Sequence, residues 1–150
     1  MRLALIFLMA ACLACKTGKG GRQNFESSMI TMEKTACYGK CPIYTITIYG
    51  TGKAEYDGKK NVKKLGRYEK QLNSNETIKL FKAFDASNFS DFQSEYDTSV
   101  TDVPSTLISF LHRGYKKNIK DRMAAPEELK NLEKMVEVIA ESDGWTAVSR

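Results

Sequence analysis

Histidine is nearly missing from this chain: His112 is the single copy among 150 residues. A multi-histidine metal centre therefore cannot form within one chain, and any Ser/His/Asp relay must pass through that one imidazole. No long apolar run is present either. The stretch 3–14 is about 12 residues, well short of the roughly 20 that cross a bilayer as a helix, which excludes a permanent transmembrane anchor there. A phosphate-cradling loop is lacking, because Gly50-x-Gly52 leads into a hairpin and not a helix. The acidic set Asp91, Glu95, Asp97 and Asp102 lacks the regular spacing of a calcium loop. These residues call for no metal and no cofactor.

What is there begins with an address. Met1 and Arg2, the apolar run and small residues before a cysteine describe an export signal. Leu13-Ala14 before Cys15 resembles the lipobox of bacterial lipoproteins, whose cysteine is lipidated and becomes the mature N-terminus. Cys12, preceded by Met9-Ala10-Ala11, is the competing site. Of the four cysteines, at 12, 15, 37 and 41, cleavage before Cys15 removes one, acylates the second and leaves Cys37 and Cys41 to pair. Cleavage before Cys12 strands an odd thiol. Cys15 is therefore favoured, although Cys12 stands where a lipobox usually carries an aliphatic residue. Segment 1–15 reads as the signal with its lipidated cysteine. Segment 16–24, Gly-rich and basic, reads as a tether with a mean reach of roughly 17 Å. The expected location is the bacterial envelope, lipid-anchored on the periplasm-facing outer membrane. The net charge of +5, about +4 without Arg2, is only mildly basic and argues against nucleic acid as a partner in that compartment.

Residues 25–150 are enough for one domain. Segment 28–36 reads as a strand, and Ile43-Tyr-Thr-Ile-Thr-Ile-Tyr49 alternates so that Tyr44, Ile46 and Ile48 share the core face. Gly50-Thr-Gly52 turns into an antiparallel partner, Asp57-Gly58 marks the next turn, and 62–72 supplies a fourth strand broken near Gly66. A helix over 74–87 is signalled by Thr77, Leu80, Phe81 and Phe84, and Phe89, Phe92 and Tyr96 look like packing anchors in an irregular segment. A hairpin about Arg113-Gly114 follows. The last element is a helix opening near Pro126, with Leu129, Leu132, Val136 and Ile139 on its buried side. The pattern predicts an α+β domain: an antiparallel sheet of about five to six strands, two helices packed on one face, order ββββ-α-ββ-α.

The sharpest motif is Cys37-Tyr-Gly-Lys-Cys41-Pro42. Two cysteines four apart around a glycine, ahead of a strand, can close a small structural disulfide in an oxidising compartment. A redox pair is the rival, but that chemistry favours Cys-x-x-Cys at a helix N-terminus. Shared metal binding is the other, limited by two thiolates being half a tetrahedral site. With Cys37-x-Gly39-x-Cys41-Pro42-x-Tyr44 followed by Ile48, Gly52, Tyr56, Gly66 and Asp102-x-Pro104, the chain resembles a family of bacterial envelope domains common in small lipoproteins and classed as a domain of unknown function. The resemblance covers about residues 30–142 and implies a secreted domain without an assigned activity.

Further candidates are His112, on a strand face with Ile108 and Phe110, and Asp102, the carboxylate with most claim to a role beyond the fold. Two basic groups containing Lys63 and Arg67, then Lys116 and Lys120, are expected to converge on the exposed sheet surface and attract phosphate-bearing lipid or anionic glycan. The residues thus point to a non-enzymatic, membrane-tethered envelope lipoprotein with a binding or structural role toward an envelope protein, glycan or lipid. Alternatives are an envelope hydrolase or inhibitor-like domain with a cleft near His112 and Asp102, and a thiol-disulfide redox protein using Cys37 and Cys41.

Overall fold

A computed structural model describes residues 24–149. Cys12 and Cys15, the expected lipidation candidates, and the expected tether up to residue 23 lie outside the described residues. Four strands form a meander: β1 (Met29–Lys34), β2 (Ile43–Tyr49), β3 (Lys53–Lys60) and β4 (Gly66–Gln71). Helix α1 (Ser74–Ala86) follows, then a 3-10 turn at Phe89–Asp91 and the two-residue strand β5 (Glu95–Tyr96). The hairpin β6 (Thr106–His112) and β7 (Tyr115–Asp121), helix α2 (Glu127–Glu141) and the short strand β8 (Thr146–Ala147) complete the order. All strands join one sheet, arranged β5-β7-β6-β1-β2-β3-β4-β8.

The β-branched alternation of β2 is what commits the centre of the sheet. Tyr44, Ile46 and Ile48 are buried on one face, with Ile30 and Met32 of β1, Ala54 and Tyr56 of β3, and Ile108 and Phe110 of β6 on the same side. Helix α1 presses Leu80, Phe81 and Phe84 onto that face, and α2 adds Leu129, Leu132 and Val136. Each such side chain, fully buried, contributes about 1.5–3 kcal/mol of transfer free energy. Rings interlock across the layer, with Phe84 5.4 Å and Phe89 5.9 Å from Phe110. Helix α1 starts at Asn73, whose side chain accepts from the Glu76 amide while Glu76 accepts from the Asn73 amide, a complete capping box.

The fold class is the expected α+β, but the sheet has eight strands, not five to six. The two unforeseen members are β5 and β8, both two residues long at the sheet edges. Two residues carry no detectable period; their pairing comes from where the chain is laid down. Strand β5 also runs parallel to β7, so the sheet is not purely antiparallel. The expected turn at Asp57-Gly58 is strand, and β3 continues to Lys60. Gly58 is required there because a Cβ would lie 1.8 Å from the Lys64 carbonyl oxygen. The turn falls instead at 61–65, entered by Asn61 at φ 56° and left by Gly66 at φ 89°.

Candidate functional site

Strand β2 begins where the disulfide loop ends. The sulfur atoms of Cys37 and Cys41 are at bonding distance, with their Cα atoms 5.8 Å apart. Neighbouring loops hold this small ring from both sides. The Tyr38 amide donates to the Asp102 carbonyl at 3.3 Å, and the Asn61 side chain donates to the Cys41 carbonyl at 3.0 Å. Pro42 then leads into Tyr44, whose ring stacks on Tyr56 at 5.1 Å. Tyr56 in turn meets Trp145 at 5.6 Å and carries the Lys64 ammonium 5.5 Å from its ring centre.

A cavity of about 450 Å³ opens here, between Pro42, Tyr44 and Tyr56, the β3–β4 loop with Asn61, Lys63 and Lys64, and the C-terminal end of α2 at Ala140 and Glu141. Burial pushes the Tyr44 phenol well above its ordinary range, helped by the negative fields of Glu137, Tyr56 and Glu141. Burial likewise raises Tyr56 to about 12, with Tyr68, Asp57 and Glu141 adding to it. Both phenols therefore stay neutral near pH 7 and line the cavity as hydroxyls, not anions.

Behind the cavity a polar network ties α2 to the sheet. Lys34 donates to Thr106 at 2.9 Å and is paired with Glu137 at 2.5 Å. Glu133, 6% exposed, lies against the same group, and one of its carboxylate oxygens has no hydrogen-bond partner. Burial raises its pKa to about 7; Asp121 and Glu137 push the same way, while Lys34 and a hydrogen bond from Thr106 oppose it. Asp121 is itself buried and accepts from the amides of Ala124 and Ala125, which shapes the entry to α2.

His112 sits at the other end of the sheet. Its Nδ1 shares a 2.7 Å hydrogen bond with the Ser28 hydroxyl, and Asp85 Oδ1 lies 3.4 Å from its Nε2. Phe110 stacks on the imidazole at 5.4 Å, Phe25 packs at 5.4 Å, and an open cleft of about 310 Å³ adjoins the histidine, Asp85 and Arg113. Ser28 is 2% exposed, and both its amide and carbonyl are engaged by Phe25 and Gly50.

The structure separates residues that the sequence reading grouped together. Asp102 lies before β6 and His112 at its end, so the strand holds them about 20 Å apart and they share no cleft. Asp102 is exposed at φ 63°, where its carbonyl, not its carboxylate, receives Tyr38. The basic groups do not converge either. Arg67 on β4 and Lys116 and Lys120 on β7 are five strand spacings apart, about 24 Å. Between them the open face carries Thr31, Thr47, Glu55 and Glu69, and Lys53 bridges the two glutamates at 2.7 and 3.1 Å. Lys120 is paired with Glu95 at 2.8 Å. Of Lys63, Arg67, Lys116 and Lys120, Lys63 alone lines the cavity. Sequence reasoning missed Lys34, Glu133, Glu137, Glu141, Ser28 and Asp85. A signal existed for Glu133, which interrupts the apolar stripe Leu129, Leu132, Val136, Ala140 of α2.

Among the described residues no cluster of three His, Cys, Asp or Glu has a metal-holding arrangement, and no helix is long and apolar enough to cross a membrane. No curated protein matches the chain. A family model described as a domain of unknown function, DUF6438, matches residues 28–140, which spans the sheet from the start of β1, both helices up to the last turn of α2, and the disulfide loop. The chain belongs to the DUF6438 family.

Proposed function

We propose that the protein is a non-enzymatic envelope lipoprotein, moored through Cys15 and presenting the disulfide end of its domain to a partner. The observation that carries this reading is polarity along the strands. The described chain enters at Phe25, beside Gly50 and His112, whereas the disulfide loop and the 450 Å³ cavity lie at the opposite end of β2, about 20 Å away. A tether attached at the first end leaves the second facing outward. Tyr38, 91% exposed, and Leu65, 64% exposed, project from the two loops that frame that outward end. Exposed tyrosines such as Tyr38 are among the side chains that interfaces use as anchors.

Two measurements test it. Mass spectrometry of protein isolated from its native cells is expected to show residues 1–14 removed and Cys15 acylated; an intact initiator methionine overturns the mooring. A photo-crosslinker at Tyr38 is expected to capture an envelope component that the same probe at Thr51, beside the chain entry, does not. Equal capture, or none at either position, overturns the outward-facing role.

A second reading, a hydrolase, is favoured by the line Ser28, His112, Asp85 next to an open cleft. It requires Ser28 to become accessible, and labelling of Ser28 by a fluorophosphonate is its test. Absence of label in protein that binds the probe nowhere else removes it.

A further inference from the structure

The cavity at the disulfide end is electrically two-sided. One side suits a cation: the face of Tyr56, the exposed carboxylate of Glu141, and the C-terminal end of α2, whose last turn holds no basic residue to offset the negative helix pole. Glu141 has no ion-pair partner among the described residues. The β3–β4 loop on the other side is the reverse, contributing the exposed Lys63. One cation already sits over Tyr56, and it belongs to the protein: the Lys64 ammonium, 5.5 Å from the ring centre.

We propose that this cavity receives a zwitterion, an ammonium group carried within a few bonds of a phosphate or carboxylate, and that Lys64 is the resident stand-in for that ammonium. The proposal rests on reading the cavity as the binding site. A bare anion entering the cavity meets Glu141 and the negative pole of α2. A bare cation meets Lys63 on the β3–β4 loop. A molecule with both charges places its ammonium on Tyr56 and Glu141 as Lys64 swings out, and leaves its anionic group at Lys63. The volume of about 450 Å³ accommodates a small polar ligand.

The full-length protein is titrated by calorimetry with phosphoethanolamine, ethanolamine and inorganic phosphate separately, and with vesicles bearing the same headgroup. Phosphoethanolamine is expected to bind and each half alone to bind at least tenfold more weakly. Vesicle binding identifies a lipid source for the ligand, and binding of the free compound alone identifies a soluble one. Lys64→Ala removes the competing ammonium and is expected to tighten phosphoethanolamine binding about fivefold. Glu141→Gln, at an exposed position that does not threaten folding, is expected to weaken it about tenfold. If phosphate alone binds as well as phosphoethanolamine, or if Lys64→Ala weakens binding, the cavity is an anion site and the proposal fails. It fails equally if none of the three compounds binds. Tyr38 crosslinking that still captures an envelope component would then confine the failure to the ligand and leave the outward-facing role intact.

Discussion

Glu133 makes the stability of the domain depend on pH in a direction opposite to that of an ordinary paired carboxylate. Its folded-state pKa, raised from 4.5 to about 7, means that between these values the folded protein keeps a proton that the unfolded chain has released. Stability from this group is complete below pH 4.5 and falls as pH rises to about 7, after which it stays at the lower level. At about 1.36 kcal/mol per pH unit, a window of roughly 2.5 units corresponds to a loss of about 3 kcal/mol. Glu133→Gln keeps the shape and removes the titration. Urea unfolding of both proteins at half-unit steps from pH 4 to pH 8.5 isolates the effect, because groups remote from Glu133 contribute equally to the two curves. The difference in unfolding free energy is expected to grow in favour of Glu133→Gln by about 3 kcal/mol across the window and then level off. A constant difference over this range would refute the argument, since it would mean that Glu133 ionises as easily inside the fold as outside it.

Replacing Cys37 and Cys41 together by serine is expected to cost about 2 kcal/mol, the chain-entropy value for so short a ring, and the same decrease should appear on adding reductant to the native protein and be absent from the double variant. Gly58→Ala drives a methyl group into the Lys64 carbonyl, 1.8 Å away, and is expected to cost more than about 2 kcal/mol while displacing the β3–β4 loop, visible as lost amide protection in β4. An unchanged melting temperature would show that the loop yields freely.

Where one face of an element is buried and its period is long enough to register, the sequence shows it. Strand β2 alternates over seven residues, α1 places Thr77, Leu80, Phe81 and Phe84 on one side, and α2 does the same with Leu129, Leu132 and Val136, all recovered as buried, while the expected Ile139 is only partly buried and Ala140 takes the covered position. The cysteine pair was legible for a related reason, since the partners are four positions apart and the ring closes locally. Edge strands β5 and β8 were not legible, because two residues hold no pattern and are recruited by a neighbour already in position. The cavity was only partly legible. Tyr44 and Lys63 could be singled out, but Glu141 reaches them through the folding of α2 back across the sheet, and nothing near residue 141 announces it. The two basic groups misled for the same reason: both are real runs of charge, yet four intervening strands keep them apart.

The position of β1 has a consequence for how the molecule is assembled. First in the chain among the strands, it lies between β2 and β6. One side can zip up locally, but the other waits for Ile30 to find Phe110 and Met32 to find Ile108. During that wait an apolar ribbon with an unmatched hydrogen-bonding rim is open to any extended chain nearby. Newly made protein is therefore expected to be most prone to clumping at the stage when the first hairpin exists and the β6–β7 hairpin does not, and to lose that tendency once the late pair slots in.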